Sequence, residues 1–276
     1  MNDEICTTST TTWRWRSVNI VLMGLGFLTV FVSFNTAENF TTSLYGQGGM
    51  ASLSLIYISF AVCSIVVPAI IQRIGERWTL VVGAAAILPF ILINVFANVT
   101  LLIAFSAVVG FGQAVMWCAQ GSLLTRCSPP EKRGRNSGIF FFIYQLNQIV
   151  GNGVAYALSA LGVPLRLLFA ALTALCLAGT APFVGIRMSV LPDVERVSLR
   201  TNVRTLWGVL RSRTMLLLVP LFVFSGATQC FIYGQMTMLY GTDLVAVGMC
   251  VFGAANTVGP HAERLTRSVA ALRPDF

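Results

Sequence analysis

The chain has 276 residues, of which 56% are hydrophobic and only 10% are charged. A soluble domain of this length would carry roughly 25% charged residues, and its helices would each show one apolar face rather than long runs that are apolar all round. A soluble globular protein is therefore excluded, and the composition predicts an all-α polytopic membrane protein, because a helix satisfies its own backbone hydrogen bonds in lipid.

A helix needs roughly 20 residues to cross a bilayer. The sequence has eight apolar segments that approach this length. The predicted spans are Val18–Phe34, Ala51–Ile71, Trp78–Ala97, Leu101–Leu124, Ile139–Leu161, Leu167–Ile186, Thr214–Gly234 and Leu244–Val258. No small-residue cleavage site follows the first of them, so we interpret it as an uncleaved span rather than a signal peptide.

These spans divide the chain into five predicted regions. A cytoplasmic N-terminus (1–17) precedes a first six-helix transmembrane bundle (18–186). A basic cytoplasmic connection (187–213) leads to spans 7 and 8 (214–258), which form part of a second bundle, and a cytoplasmic tail (259–276) follows. The predicted fold is thus one six-helix bundle plus part of another.

The basic residues indicate the orientation of the chain. Of its 18 Lys and Arg residues, all but Arg166 fall on one side of the predicted topology. Cytoplasmic connections carry an excess of Lys and Arg, so both termini are predicted to be cytoplasmic, in the plasma membrane or an endomembrane. In a soluble protein the net charge of +8 would suggest nucleic acid. Its one-sided placement assigns it to the membrane, and no nucleic-acid partner is predicted.

The basic connection contains an amphipathic segment. Leucine, valine and tryptophan residues between 199 and 210 form one helical stripe, and Arg200, Arg204 and Arg211 flank it. A helix of this kind lies in the membrane interface, where its Arg residues contact anionic lipid. The alternative is a solvated linker between two bundles, and we prefer the lipid-lying helix.

Amide side chains recur within the spans at helical spacing. The candidate site residues are Asn35 and Asn39 in the first span's end, Gln113, Trp117 and Gln120 in the fourth, Gln145, Gln148 and Asn152 in the fifth, and Gln229 in the seventh. Amides in contact with lipid are costly, so these faces are predicted to turn inward. Two interpretations stay open: a polar cavity for a neutral or zwitterionic solute, and interhelical hydrogen bonds. The second is slightly favoured for spans 4 and 5, where Gly110, Gly112, Gly151 and Gly153 indicate close packing.

No ionisable residue is predicted in the middle of any span. The nearest acids, Glu38 and Asp243, are expected to be hydrated at the span ends. Proton-coupled carriers usually keep ionisable groups at membrane depth, so their absence disfavours proton coupling. The sequence also has no glycine-rich phosphate loop, catalytic triad or zinc motif, so we predict no enzyme activity, no cofactor and no metal site.

A glycosylation sequon, Asn39-Phe40-Thr41, follows the first span on the predicted outer side. A second sequon begins at Asn98 and lies in a turn of a few residues, too tight for the glycosylating enzyme to reach. Asn39 is therefore the glycosylation candidate, and the sequence predicts a glycoprotein.

Two adjacent stretches carry a family resemblance. They read GFGQAVMWCAQGSLLT (110–125) and RGRNSGIFFFIYQLNQIVGN (133–152). The uncoordinated-93 (Unc-93) family of the major facilitator superfamily has a similar G-x-G-x-x-x-x-W-x-x-Q-G run in its fourth helix, followed by R-N-S-G-I-F, a Gln in the fifth helix, and G-N. The chain resembles this family, and the animal major-facilitator-domain-containing Unc-93-like proteins are especially similar. The superfamily has a D-R-x-G-R-R signature, and Gln72 occupies the position of its acidic residue in this chain. The acidic residue of the signature is therefore missing here.

The resemblance implies a major-facilitator-like fold of two six-helix bundles, of which this chain carries the first and part of the second. It implies an accessory or regulatory subunit of a channel or receptor. The alternative is a facilitative carrier of an unidentified small solute, inactive in this shortened form. With part of the second bundle absent, Asn35, Gln113 and Gln120 are expected to face lipid or water, which predicts an oligomer or a protein partner.

Overall fold

The structure is a computed structural model that describes residues 2–188 and 198–271, with side chains described for residues 14–188, 198 and 200–257. Within these ranges the regular structure is helical and includes no strand. The all-α fold predicted from the sequence is therefore confirmed.

Ten α-helices follow one another along the described residues. They are α1 (Asn2–Tyr45), α2 (Gln47–Cys63), α3 (Val67–Phe96), α4 (Val99–Cys127), α5 (Arg133–Ala160), α6 (Leu165–Ala178), α7 (Ala181–Val184), α8 (Leu199–Leu210), α9 (Arg213–Cys230) and α10 (Thr237–Ala271). A short 3₁₀ turn (Pro130–Lys132) precedes α5, and a π-helical segment (Phe231–Met236) joins α9 to α10.

By length and composition, five of the described segments are able to cross a membrane. They are Arg14–Tyr45, Val67–Phe96, Val99–Cys127, Leu165–Val184 and Arg213–Thr257. The last is 45 residues long, about twice what one crossing needs, and it covers both the seventh and eighth predicted spans. α2 is apolar but shorter, and α5 is less apolar because it carries the amides of the fifth predicted span.

The first helix is longer than its predicted span, which ended at Phe34. α1 continues to Tyr45, and the polar residues 35, 36, 38, 39, 41 and 42 are all buried. The predicted span ended at Phe34 because hydropathy falls where the polar side chains begin. The helix continues because Asn35, Glu38, Asn39 and Thr42 find hydrogen-bonding partners on other helices instead of entering a loop.

Gly75 marks the turn between the second and third predicted spans. Its φ of +76° interrupts α3, and glycine adopts such a backbone conformation without a steric penalty. Val67 packs on Ala114 before the turn, and Gly83 packs on Gly112 after it. The chain therefore reaches the same level of α4 twice, which shows that it reverses direction at Gly75.

Two predicted spans are interrupted near a proline. The second, Ala51–Ile71, breaks between the end of α2 at Cys63 and the start of α3 at Val67, next to Pro68. The sixth, Leu167–Ile186, breaks between α6 and α7, next to Pro182. Proline has no backbone N–H, so it begins a helix more readily than it continues one.

α1 forms the centre of the bundle and packs on α2, α5, α6 and α10. Phe27, Phe31 and Phe34 on α1 are fully buried in the core. Glycines permit the closest helix contacts: a Cβ atom on Gly151 would collide with the Thr36 hydroxyl and the Val32 carbonyl. Close packing is likewise confirmed at Gly110 and Gly112, whereas Gly153 faces open space.

The amphipathic segment of the basic connection forms α8, and its helical structure is confirmed. Ser198 caps it by accepting a hydrogen bond from the backbone N–H of Thr201. The side chains of Val203 and Trp207 are exposed, and the guanidinium of Arg211 lies 4.6 Å from the Trp207 ring centre. Contact of this helix with lipid stays a prediction.

One end of the bundle gathers basic side chains and is called the basic end below. Arg77, Arg126 and Arg187 lie there, around a shallow depression and an adjoining cavity. Asn19 ties the start of the transmembrane part of α1 to this end, because its side chain bonds both the carbonyl (2.8 Å) and the N–H (2.9 Å) of Arg187.

Candidate functional site

A cavity of about 380 Å³ lies inside the bundle, between α1, α2, α4, α5 and the helices that follow α8. Five of the nine predicted candidate residues line it: Asn35, Gln113, Trp117, Gln145 and Gln229. The structure thus brings together side chains from four separate predicted spans. We call this space the central cavity.

Aromatic rings form one wall of the central cavity. Phe31 lies 5.3 Å from Tyr144 and 5.6 Å from Trp117, and Trp117 lies 5.1 Å from Tyr144, measured between ring centres. All three pairs meet edge to face, an arrangement that aromatic quadrupoles favour. The wall therefore presents ring surfaces to any small molecule in the cavity.

Glu38 also lines the central cavity, which sequence reasoning missed. It is only 2% exposed, and its Oε1 accepts a hydrogen bond from the Tyr57 hydroxyl at 3.3 Å. The prediction that Glu38 is hydrated at a span end is wrong, because α1 continues for seven residues beyond it. The signal was present in the sequence: Glu38 repeats at helical spacing with Asn35 and Thr42.

Asn39, Gln148 and Asn152 lie outside the central cavity and bond to one another. Asn39 Nδ2 donates to Gln148 Oε1 (3.1 Å) and to Asn152 Oδ1 (3.0 Å), and Asn152 Nδ2 donates to Gln148 Oε1 (2.8 Å). All three side chains are buried. For these residues the structure favours interhelical hydrogen bonding over a solute site.

The same geometry disfavours the glycosylation predicted at Asn39. A glycan is attached to the side-chain nitrogen of asparagine, and in Asn39 this atom is buried and donates two hydrogen bonds. The residue lies within α1 rather than in a loop. Glycosylation of the sequon Asn39-Phe40-Thr41 stays a prediction, and we expect the folded chain to leave it unmodified.

Hydroxyl side chains join α1 to the start of α10 at the end of the bundle opposite the basic end. Thr42 shares a hydrogen bond with Thr237 (2.5 Å), and Ser43 donates to the Thr237 carbonyl (2.5 Å). Gln148 Nε2 donates to the Tyr233 hydroxyl at 3.0 Å. These contacts hold α1, α5 and the start of α10 together at this end.

Toward the basic end, the central cavity adjoins a second cavity of about 790 Å³ between α5 and α10. The two share Phe141, Gln145 and Asn256 as lining residues, and the second is also lined by Arg135. The two cavities therefore meet, and the second extends toward the basic end.

Three amides that were expected to face lipid or water are instead buried. Asn35, Gln113 and Gln120 are between 6% and 9% exposed. Asn35 donates to Asn147 Oδ1 at 2.7 Å, while Gln120 lines neither of the two cavities. The expectation is wrong because α10 and the π-helical segment already cover α1, which carries Asn35, while α4, which carries Gln113 and Gln120, packs on α1, α2 and α3.

A buried ion pair holds the basic end together. Arg126 contacts Glu76 at 2.6 Å, and Ser122 donates to the same carboxylate at 2.8 Å. Glu76 is 2% exposed. The superfamily's acidic position is held by Gln72, as the sequence indicated, but a carboxylate four residues further on supplies a buried negative charge at this turn.

A family model described as "Ion channel regulatory protein UNC-93" matches residues 41–259, which is more than half of the chain. The chain belongs to the UNC-93 family. The match includes both motif stretches on which the resemblance was based, and the chain is thus a multi-pass membrane protein, as the sequence predicted.

Curated relatives share the family name. A protein named UNC93-like protein MFSD11 from Xenopus tropicalis is 25% identical over 88% of this chain, and UNC93-like protein 3 from Arabidopsis thaliana is 27% identical over 92% of it. In both comparisons the match covers 61% of the relative. The chain thus spans about three-fifths of the length of the curated relatives that it matches.

A solved structure shows the same fold. The crystal structure of a D-xylose-proton symporter superposes with a TM-score of 0.56 over 92% of this chain and 69% of that chain, at 16% identity. Such low identity establishes the fold alone. The chain is an all-α polytopic membrane protein with a major-facilitator-like six-helix bundle and part of a second bundle. Family and fold are those of transporters and regulatory membrane proteins.

Proposed function

We propose that this chain acts as an accessory, regulatory subunit of an ion channel within the membrane. The observation that carries the proposal is the match of residues 41–259 to the ion channel regulatory family. The structure is compatible with such a role, because α9 contributes no buried residue among the described parts of the chain. A membrane-embedded partner is therefore able to approach α9 without displacing the core.

The test compares membrane conductance in cells that express the chain with conductance in cells that carry an empty vector. We expect expression to change an endogenous conductance without changing the amount of channel at the surface. The purified chain, reconstituted alone in planar bilayers, is expected to give no current. A current from the purified chain would show that it is itself a conducting protein and would refute a regulatory role.

A second candidate function is a facilitative carrier of a small solute, favoured by the central cavity, which lies between the first bundle and part of the second. In alternating-access carriers the solute site lies at such an interface between two repeats. The chain alone in sealed vesicles should then equilibrate a solute that empty vesicles exclude. Uptake in the absence of any channel separates this function from the regulatory one.

We further propose that both termini are cytoplasmic and that the basic end of the bundle faces the cytoplasm. The one-sided distribution of Lys and Arg supports this orientation. Under this orientation, the hydrogen bonds from Thr42 and Ser43 to Thr237 lie toward the outside, and the second cavity, which Arg135 lines, lies toward the cytoplasm.

A further inference from the structure

We propose that the central cavity binds a small organic cation of the quaternary ammonium type, with Glu38 as the charge partner and the aromatic wall as its cage. This site is separate from the regulatory function proposed above. Binding of a cation to this site is measured at equilibrium on the purified chain. The result therefore does not depend on whether the chain regulates a channel or moves a solute.

The first observation is the isolation of the Glu38 carboxylate. Its hydrogen-bonding partner is the neutral Tyr57 hydroxyl, and no described residue that lines the central cavity is Lys, Arg or His. A buried carboxylate is costly unless a cation pairs with it. By contrast, Glu76, the other acid that is buried among the described side chains, has its own cation in Arg126. The protein therefore supplies a cationic partner to Glu76, but none of the described residues that line the central cavity supplies one to Glu38.

The second observation is the composition of the wall. Phe34 and Glu38 lie one helical turn apart on the same face of α1, and both line the cavity. Trp117 and Tyr144 line it from α4 and α5. Aromatic faces attract organic cations through their quadrupoles, most strongly in desolvated sites, and cages of such rings recognise quaternary ammonium groups.

The third observation is size and polarity. A volume of about 380 Å³ lies within the range of small-molecule sites. A quaternary ammonium group has no N–H to donate, so its recognition needs charge and ring surfaces rather than an array of acceptors. The amides of Gln113 and Gln145 remain available for a hydroxyl or carbonyl elsewhere on the ligand.

The experiment uses the full chain purified in a mild detergent and equilibrium dialysis with radiolabelled choline. The competitor is 3,3-dimethyl-1-butanol, in which a carbon atom replaces the ammonium nitrogen without changing the shape. We expect saturable choline binding that the neutral isostere displaces only at a much higher concentration than choline itself, and that potassium fails to displace. Absence of saturable binding would overturn the proposal. Equal competition by the isostere would show that the cavity recognises shape alone. Displacement by equimolar potassium would show that the cavity binds metal cations. Either result would also overturn the proposal.

Variants locate the site. Glu38→Gln keeps the shape of the side chain and should weaken choline binding roughly tenfold or more, because removal of one partner from a buried charge pair has at least this effect. Asp243→Asn removes an exposed acid outside the cavity and should leave binding unchanged. Unaltered choline affinity in folded Glu38→Gln protein would refute the assignment.

A second substitution keeps the proposal testable if the Glu38→Gln protein does not fold. Trp117→Leu retains the carboxylate but removes one ring of the cage, and should weaken choline binding by roughly fivefold or more without affecting isostere binding. If choline and its isostere lose affinity equally, the ring contributes only apolar contact, and the cation cage is refuted. The comparison of choline with its isostere in the unsubstituted chain needs no variant at all.

Discussion

Gln148 on α5 donates a hydrogen bond to the hydroxyl of Tyr233, 3.0 Å away, in the segment between α9 and α10. The same amide accepts from Asn39 on α1 at 3.1 Å. A single side chain therefore joins the first helix of the first bundle to the segment between the two described helices of the second. This junction explains why the partial second bundle covers the cavity face of the first instead of standing apart from it.

Asn39→Leu should destabilise the fold by roughly 1–3 kcal/mol, because it removes two hydrogen bonds and leaves buried amide oxygens with fewer donors. The measurement is the midpoint of thermal unfolding in detergent, together with the yield of monomer. Tyr156→Phe is the matched control, since Tyr156 lies on α5 with about half of its surface exposed. Equal unfolding midpoints for Asn39→Leu and the unsubstituted chain would show that the amide cluster does not stabilise the bundle.

Gly151→Ala should separate α1 from α5, because the added methyl group would collide with Thr36 and with the Val32 carbonyl. Overpacking of this kind costs about 1–3 kcal/mol. Gly153→Ala is the matched control on the same helix, because its methyl group meets open space. We expect a lower unfolding midpoint for the first variant only, and similar losses in both would contradict the packing described here.

Glu76→Gln should destabilise the basic end by roughly 3 kcal/mol, the lower end of what breaking a buried ion pair costs. The double variant Glu76→Gln/Arg126→Met should lose less than the sum of the two single variants, because both charges are then removed. Unfolding midpoints of the four proteins give the coupling free energy. Glu131→Gln, an exposed acid at the same end, serves as the control, and strictly additive effects would argue against the pair.

Replacement of Arg200, Arg204 and Arg211 by Gln should weaken binding of a peptide covering residues 198–213 to phosphatidylserine vesicles. Each Arg near an anionic surface contributes about 1 kcal/mol. Vesicles of phosphatidylcholine alone provide the control, and there the two peptides should bind equally. If the substituted peptide keeps its affinity for phosphatidylserine, α8 is a solvated linker rather than a lipid-lying helix.

An N-terminal tag should be inaccessible to antibody in intact cells and accessible after selective permeabilisation of the plasma membrane, because the proposed orientation puts the N-terminus in the cytoplasm. Glycosidase treatment should not change the mobility of the chain, since the Asn39 nitrogen is buried. A tag exposed on intact cells would reverse the proposed orientation. A mobility shift that Asn39→Gln abolishes would contradict the burial of that residue.

The sequence by itself determined the class of the protein, the position of most spans and the family. Long apolar runs, one-sided Arg residues and the motifs between Gly110 and Asn152 are local features, so they are readable without knowledge of any contact. The same is true of α8, because its stripe and its flanking Arg residues depend only on helical periodicity.

The tertiary structure alone decided what the polar residues do. Helical spacing places Asn35, Glu38 and Asn39 near one another on α1, but it does not reveal which neighbour each side chain meets. The structure assigns Glu38 to the cavity and Asn39 to Gln148. The reason is physical: hydropathy measures the cost of a polar side chain in lipid, whereas in a packed bundle that cost depends on the partners that distant parts of the chain bring to it.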